Sequence, residues 1–207
     1  DYIADAVEAA GTGARYICAN TSGTDSLAVT DVFVPQLIDE AVRKAQTSSP
    51  KIQPLIVKGN RYYVLFIHPN QAYDLRRNPE WQQAMREAEK RGSENPIFTG
   101  AFGIWNSVIV KVHDYVPFLD ASVAGNSFRG ASTGTDCAVD AYRALFCGRG
   151  AAVYAQVDND NAWAEETFDY GNKHGFAISV MGGVQKTMFN SKEWGVIAID
   201  TASSVTV

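Results

Sequence analysis

The feature that most constrains this chain is the run YYVLFI, residues 62–67, followed at once by His68-Pro69. Aromatic and aliphatic residues without a polar interruption read as a strand buried on both faces. The residue before a proline is pushed out of the helical region, so the strand has to stop at His68. Upstream, Ile56, Val57 and the Gly59-Asn60 turn pair make the run the second arm of a hairpin. Downstream, Asn70 is placed to cap a short helix through Arg77. A second helix follows directly, with Asn78 as N-cap, Pro79 at its first position and Trp81, Ala84, Met85 and Ala88 on one face. Gly92 ends it. A buried strand feeding two short amphipathic helices requires a sheet with helices packed on it.

The rest of the chain supplies further elements of both kinds. Residues 30–46 predict a helix, since Leu37, Ile38, Ala41, Val42 and Ala45 share one face and Asp39/Arg43 and Glu40/Lys44 stand four apart, acid first. Pro35 then belongs to its first turn. A short helix is expected at residues 5–10, a proline-bearing connection at 47–54, a strand at 107–112, and a Gly/Ser/Thr/Asn-rich surface excursion at 114–136. Residues 136–146 show helical spacing through Cys137, Ala141, Ala144 and Leu145, with Gly148 as terminator. Strands are expected at 151–157, 176–189 and 194–199, while 163–170 fits either period. The class is α+β, without a repeating βαβ unit or an internal repeat.

Chemistry-bearing residues are sparse. Lys plus Arg number 18 against 23 for Asp plus Glu, a net charge of −5 that argues against a basic face spread over the whole surface. No apolar run is long enough to span a bilayer, and the first residues resemble neither a signal nor a transit peptide. The chain begins at Asp1 and reads as a processed product or a piece of a longer polypeptide. Cys18, Cys137 and Cys147 include no CxxC pair, which suits a reducing compartment. His68, His113 and His174 are far apart with no zinc-binding spacing, so no metal is expected. A hydrolase built on Cys137 or Cys147 with one of these histidines stays open, because the partners need only meet in space. Gly11 to Arg15 lacks the spacing and lysine of a phosphate loop, and Asp158/Asp160 and Glu165/Glu166 read as solvated charge. Lys186 reads as an exposed strand lysine or one paired with an acid such as Asp169. No catalytic residue, metal site or cofactor site emerges.

Several strips taken in order carry a resemblance. YYVLFIHPNQAYDLRRNPEWQQAMREAEKRGSENPIFTGAFGIWNSVIV (62–110), ALFCGRGAAVYA (144–155), FDYGNKHGFAISVMGGVQKTMFN (168–190) and WGVIAIDTA (194–202) are similar to major capsid proteins of tailed bacteriophages, in the branch typified by the coat protein of the phage N-four group. The similarity covers about residues 30–202. Its motif positions are His68, Pro69, Asp74, Asn95, Pro96, Phe98, Gly100, Gly148, Asp169, Gly171, Lys186, Phe189 and Asn190. Prolines 69, 79 and 96 fix turns, Gly92, Gly100 and Gly148 permit tight backbone, and Trp81, Phe98 and Phe189 anchor packing. Arg76, Arg77, Arg86 and Arg91 are the candidates for contacts between subunits.

The resemblance implies a Hong Kong 97-type fold, with an axial domain, a peripheral domain carrying a spine helix and sheet, an N-terminal arm and an extended loop. No segment here corresponds clearly to the full arm and loop. The implied division is a peripheral N-terminal segment 1–54, an axial domain 55–165 and a peripheral return 166–207. Either helix 30–46 or helix 79–91 could be the spine. The implied function is self-assembly, through pentamers and hexamers, into an icosahedral shell in the virion, built in the host bacterial cytoplasm around double-stranded DNA held without sequence specificity. Scaffolding, portal or decoration proteins are implied as further partners. The lysine–asparagine cross-linking known in the fold cannot be placed on these residues. The rival classes are a tail or fibre module, recognising its target through 114–136, and the Cys-His hydrolase.

Overall fold

The computed structural model describes residues 15–20, 23–87, 102–122, 139–157, 162–179, 181–190 and 192–205. The apolar run lies in strand β3 (Asn60–Ile67), which has neighbours on both sides, as its lack of polar residues demands. On one side β5 (Val108–Val112) pairs with it in parallel; on the other β7 (Ala141–Cys147) pairs antiparallel, with Leu65 opposite Phe146. Next to β7 runs β14 (Val196–Ala202), matched along its whole length. The edges are β1 (Tyr16–Cys18), parallel to β14, and β4 (Ile104–Trp105), antiparallel to β5. β2 (Leu55–Val57) forms the hairpin with β3, and β6 (Phe118–Leu119) pairs with the start of β7. The hairpin turn is Lys58-Gly59, both with positive φ, and Asn60 is already in the strand. This one-residue shift from the expected pair follows from the two left-handed positions that a tight hairpin needs.

Helix α1 (Pro35–Thr47) starts at its proline and buries Leu37, Ile38, Ala41, Val42 and Ala45. These pack with Leu65, Ile67, Val108, Val110, Ala144, Phe146, Ile197 and Ile199 from the four central strands. The Glu40–Lys44 pair forms at 3.4 Å. Asp39 turns away from Arg43 and accepts hydrogen bonds from Trp105 Nε1 (3.1 Å) and Asn106 Nδ2 (3.0 Å), tying α1 to the β4–β5 turn. Helices α2 (Pro69–Arg77) and α3 (Pro79–Glu87) lie where the prolines start them.

Two expectations are corrected. The helix expected at 136–146 is strand from Ala141 onward, and residues 123–138, Cys137 among them, lie outside the described residues. All seven residues of β7 are buried. A strand covered on both faces is apolar throughout, so any helical spacing can be picked out of it. Its second face, Leu145 and Cys147, packs with Val196 and Ala198. The cap of α2 is His68, not Asn70, which stands at the second helical position after Pro69. The expected helix at 5–10 and the strip 95–101 also lie outside the described residues.

The described residues within 152–186 leave this sheet as two antiparallel strand pairs, called here the ribbon. β8 (Ala152–Gln156) pairs with β11 (Gly182–Lys186), and beyond them β9 (Ala162–Phe168) pairs with β10 (Lys173–Ser179). The run 163–170, which fits either period in sequence, is therefore strand up to Phe168. A two-strand turn follows, β12 (Met188–Phe189) with β13 (Lys192–Glu193). α1, from the expected segment 1–54, and β14, from the expected segment 166–207, both join the core around β3, and the ribbon straddles residue 165.

Candidate assembly surface

The strip HPNQAYDL acts as a bolt between α2 and the sheet. His68 Nδ1 accepts the Asn70 N–H (3.3 Å), and Gln71 Oε1 accepts the His68 N–H (3.1 Å), a reciprocal cap. The His68 ring stacks on Tyr142 with centroids 4.6 Å apart. Burial lowers the His68 pKa from its ordinary 6.5, opposed by the nearby Asp114 charge. Asn70 Nδ2 donates to Tyr142 Oη (2.7 Å). Fully buried Gln71 donates from Nε2 to the Tyr142 carbonyl (3.1 Å) and to Thr201 Oγ1 (2.8 Å). Asp74 accepts from Ser203 Oγ (2.8 Å), the Ser204 N–H (3.1 Å) and Ser204 Oγ. One face of α2 is thus fastened to β7, β14 and the residues after β14, some 130 positions away in sequence.

The outer face of the helices carries the expected arginines. Arg76 lies over the Phe102 ring (4.7 Å) and Arg77 over Tyr73 (5.3 Å), also donating from Nη1 to Tyr73 Oη (3.1 Å). Arg86 Nη2 donates to Gln82 Oε1 (3.2 Å). All three are exposed, and among the described residues none has a carboxylate within ion-pair distance. Arg91, Asn95, Pro96, Phe98 and Gly100 lie outside the described residues.

The remaining motif positions shape the ribbon and its root. Gly148 passes so close to the connection before β2 that a Cβ there would sit 2.2 Å from Ile52 Cγ2 and 2.7 Å from the Gln53 carbonyl oxygen. At the ribbon tip Asp169, Tyr170 and Gly171 have φ of 56°, 55° and 91°. Three successive left-handed residues reverse the chain, and Tyr170 projects wholly into solvent. Lys186 pairs with Glu193 at 2.7 Å, closing the ribbon root, whereas Asp169 faces Lys173 at 3.8 Å. Phe189 is exposed, edge-on to Trp194, and Asn190 turns β12 into β13 with φ 50°.

The ribbon also carries what sequence reasoning passed over. Register places Trp163, Glu165 and Thr167 on one face of β9, opposite Ile178, Phe176 and His174 of β10. Trp163 and Phe176 stack at 5.6 Å with rings 7° from parallel, yet they remain 60% and 71% exposed, and Ile178 65%. The sequence signal was available, since the run AWAEETF, residues 162–168, puts large apolar groups on both faces, which a two-stranded ribbon cannot hide. A second omission is Arg143 with Asp200, charges set inside the buried runs of β7 and β14.

The hydrolase constellation does not form from the described residues. Cys147 is buried, its thiol pushed up to about 12 by desolvation, and its hydrogen bond runs to the Leu145 carbonyl. His68 serves the α2 cap, His113 Nδ1 accepts the Tyr115 N–H (3.2 Å), and His174 sits on the open ribbon. Among the described residues no three His, Cys, Asp or Glu side chains converge as a metal site, and no helix is long and apolar enough to cross a membrane.

The described residues thus form an α+β sheet with two short helices bolted to it and an antiparallel ribbon whose aromatic face is exposed. The phage capsid protein family model matches residues 1–205, and the chain belongs to that family. It is 29% identical over 152 residues to the major capsid protein of Pseudomonas phage KPP25, covering 70% of this chain and 39% of that protein. Among solved structures, the capsid of Ralstonia phage GP4 matches with a TM-score of 0.65 and 32% identity over 93% of this chain and 53% of that one. The capsid of cyanophage Pam1 matches with a TM-score of 0.70 and 21% identity, over 92% and 55%. The fold is therefore that of phage capsid subunits, the Hong Kong 97 type. The chain spans about two fifths to just over half of the length of these relatives.

Proposed function

We propose that this chain is the shell-forming part of the major capsid protein of a tailed phage, which joins copies of itself into an icosahedral shell around double-stranded DNA. The observation that carries the reading is the capsid-subunit fold, matched over more than nine tenths of the chain together with the family assignment. A container works through many modest contacts repeated about symmetry axes, and it needs no side chain tuned for chemistry. The role is structural and non-enzymatic. The acidic balance suits a wall that must not grip packaged DNA along its length. Pentamers and hexamers of the subunit are its first partners, with scaffolding, portal and decoration proteins as further ones, and the assembly site is the host bacterial cytoplasm before the virion is complete. In this reading the sheet around β3 is the axial domain, the ribbon 152–186 belongs to the peripheral domain, and the α2–α3 arginines face neighbouring subunits.

The test is sedimentation of the protein expressed from its complete reading frame, with negative-stain microscopy of the fast fraction. Closed shells or capsomer rings are expected. A species that stays monomeric or dimeric across protein and salt concentration, with and without co-expressed scaffold, overturns the reading.

A further inference from the structure

The root of the ribbon holds one acid and two cations. Glu193 of β13 is buried and pairs with Lys186 of β11, Oε1 to Nζ at 2.7 Å. The second cation is Arg15, which immediately precedes β1 and is only 7% exposed. Tyr16 stands level with Ala198 in the parallel pairing, so Arg15 lies beside the stretch that leads from Glu193 into β14. Its Nη2 donates to the Pro50 carbonyl, while Nη1, equally shut off from water, meets no acceptor. Burial pulls the Arg15 pKa down and the charge of Glu193 opposes that shift, yet among the described residues no carboxylate reaches ion-pair distance of Arg15. A guanidinium hidden from water with donors to spare is costly to keep. The backbone around it is fastened, by the Arg149 N–H to the Gln53 carbonyl (2.7 Å), the Gly148 N–H to the Gly195 carbonyl (2.8 Å) and the Trp194 N–H to the Thr187 carbonyl (2.9 Å). What can rearrange at the root is therefore its side chains.

We infer that Glu193 is a shared carboxylate, which turns between Lys186 and Arg15. On Lys186 it closes the ribbon on itself; on Arg15 it fastens the ribbon root to the sheet edge at the start of β1. Lys186 keeps 22% of its side chain exposed and turns its ammonium to water when released, which buried Arg15 cannot do. The buried guanidinium, with Nη1 unclaimed, is held for the second position. The result is a two-position clasp: β1 and the ribbon draw on one acid, so a displacement of either shifts the balance at the other. The clasp is a property of the folded subunit, independent of the shell it enters.

Amide hydrogen exchange of the protein expressed from its complete reading frame, read by mass spectrometry of its peptides, tests the clasp in Lys186→Met, Arg15→Met and the two combined. Each single change is expected to alter exchange at 192–195 by less than about threefold, because the remaining cation takes the acid. The combination should quicken it by about tenfold or more, because the buried carboxylate is then stranded. In Lys186→Met alone, exchange at Tyr16–Cys18 should slow by about threefold or more, since Glu193 then holds Arg15 against the sheet edge. A lysine that only closes the ribbon has no such effect on β1. Arg15→Lys added to Lys186→Met keeps a cation and should stay within about threefold of Lys186→Met, which separates loss of the clasp from loss of the fold. Lys186→Met that by itself quickens 192–195 by the full tenfold, effects that merely add, or a β1 that does not respond, overturn the clasp and leave the shell-subunit reading untouched.

Discussion

Arg143 of β7 and Asp200 of β14 stand directly opposite each other in the antiparallel register and form a two-pronged ion pair, Nε to Oδ1 and Nη2 to Oδ2, both at 2.7 Å, with neither side chain exposed. Thr24 Oγ1 donates to Asp200 Oδ2 (2.6 Å), and Tyr16 Oη meets Thr24 in turn (2.5 Å). The network joins β1 and the turn after it to the second face of the sheet. Its satisfied geometry is what makes two buried charges tolerable.

Asp200→Asn strands the guanidinium in the core, and unfolding free energy should fall by about 3–5 kcal/mol in urea titration. Arg143→Met combined with Asp200→Leu should recover much of that loss, because no charge is then left without a partner. A double variant as weak as the single one would show that the network contributes shape rather than charge balance.

His68 makes stability pH-dependent. Its folded pKa is lowered, chiefly by burial, below the ordinary 6.5. The unfolded chain therefore binds the proton first, so this stabilisation is present above pH 6.5 and is lost as pH falls through the folded value. The cap breaks for the same reason, since protonated Nδ1 cannot accept the Asn70 N–H. His68→Asn keeps a good cap and removes the titration, so its urea midpoint should vary less between pH 7 and 5 than that of the parent.

Gly148→Ala should destabilise by about 1–3 kcal/mol, because the added methyl meets both the Ile52 side chain and the Gln53 backbone oxygen, which also accepts the Arg149 N–H (2.7 Å). The side chain can rotate but the carbonyl is held. Adding Ile52→Ala to Gly148→Ala should relieve only part of the strain, readable as a non-additive unfolding free energy.

Gln71→Leu removes three hydrogen bonds at a fully buried position, to the His68 N–H, the Tyr142 carbonyl and Thr201 Oγ1. Unfolding free energy should drop by about 2–4 kcal/mol, since buried polar groups are left unpaired. Hydrogen exchange should quicken first in α2 and at 201–204, where the bolt holds. Uniform quickening over the sheet would count against that local role.

Much of the core was legible because its causes are local. Prolines 35, 69 and 79 start the three described α-helices at their first position, and the apolar face of α1 is the one its spacing marks. The end of β3 at His68-Pro69 follows from the sterics of one dipeptide. By contrast, AYRALFC carries no period once both faces are covered, and only its partners, β3, β6 and β14, make it a strand. The cap by His68 was missed because imidazole is a rare cap, and its role depends on Tyr142 lying beneath it. Lys186 reads in sequence as an exposed strand lysine or one paired with an acid such as Asp169; the structure pairs it with Glu193, because the β12–β13 turn that brings Glu193 to it has no strong signal of its own.

The sequence by itself determined the α+β class, the helices begun by proline, the buried strand β3 and, through its ordered motif strips, the family. These depend on backbone sterics, capping and side-chain period, which act within a few residues. Tertiary structure alone decided that Arg143 faces Asp200, that α2 is bolted to residues 130 positions away, and that residues 152–186 stand off the sheet with an aromatic face uncovered. Pairings of that kind are set by which distant segments bury each other, and a one-residue change of register would turn every ribbon side chain to the other face.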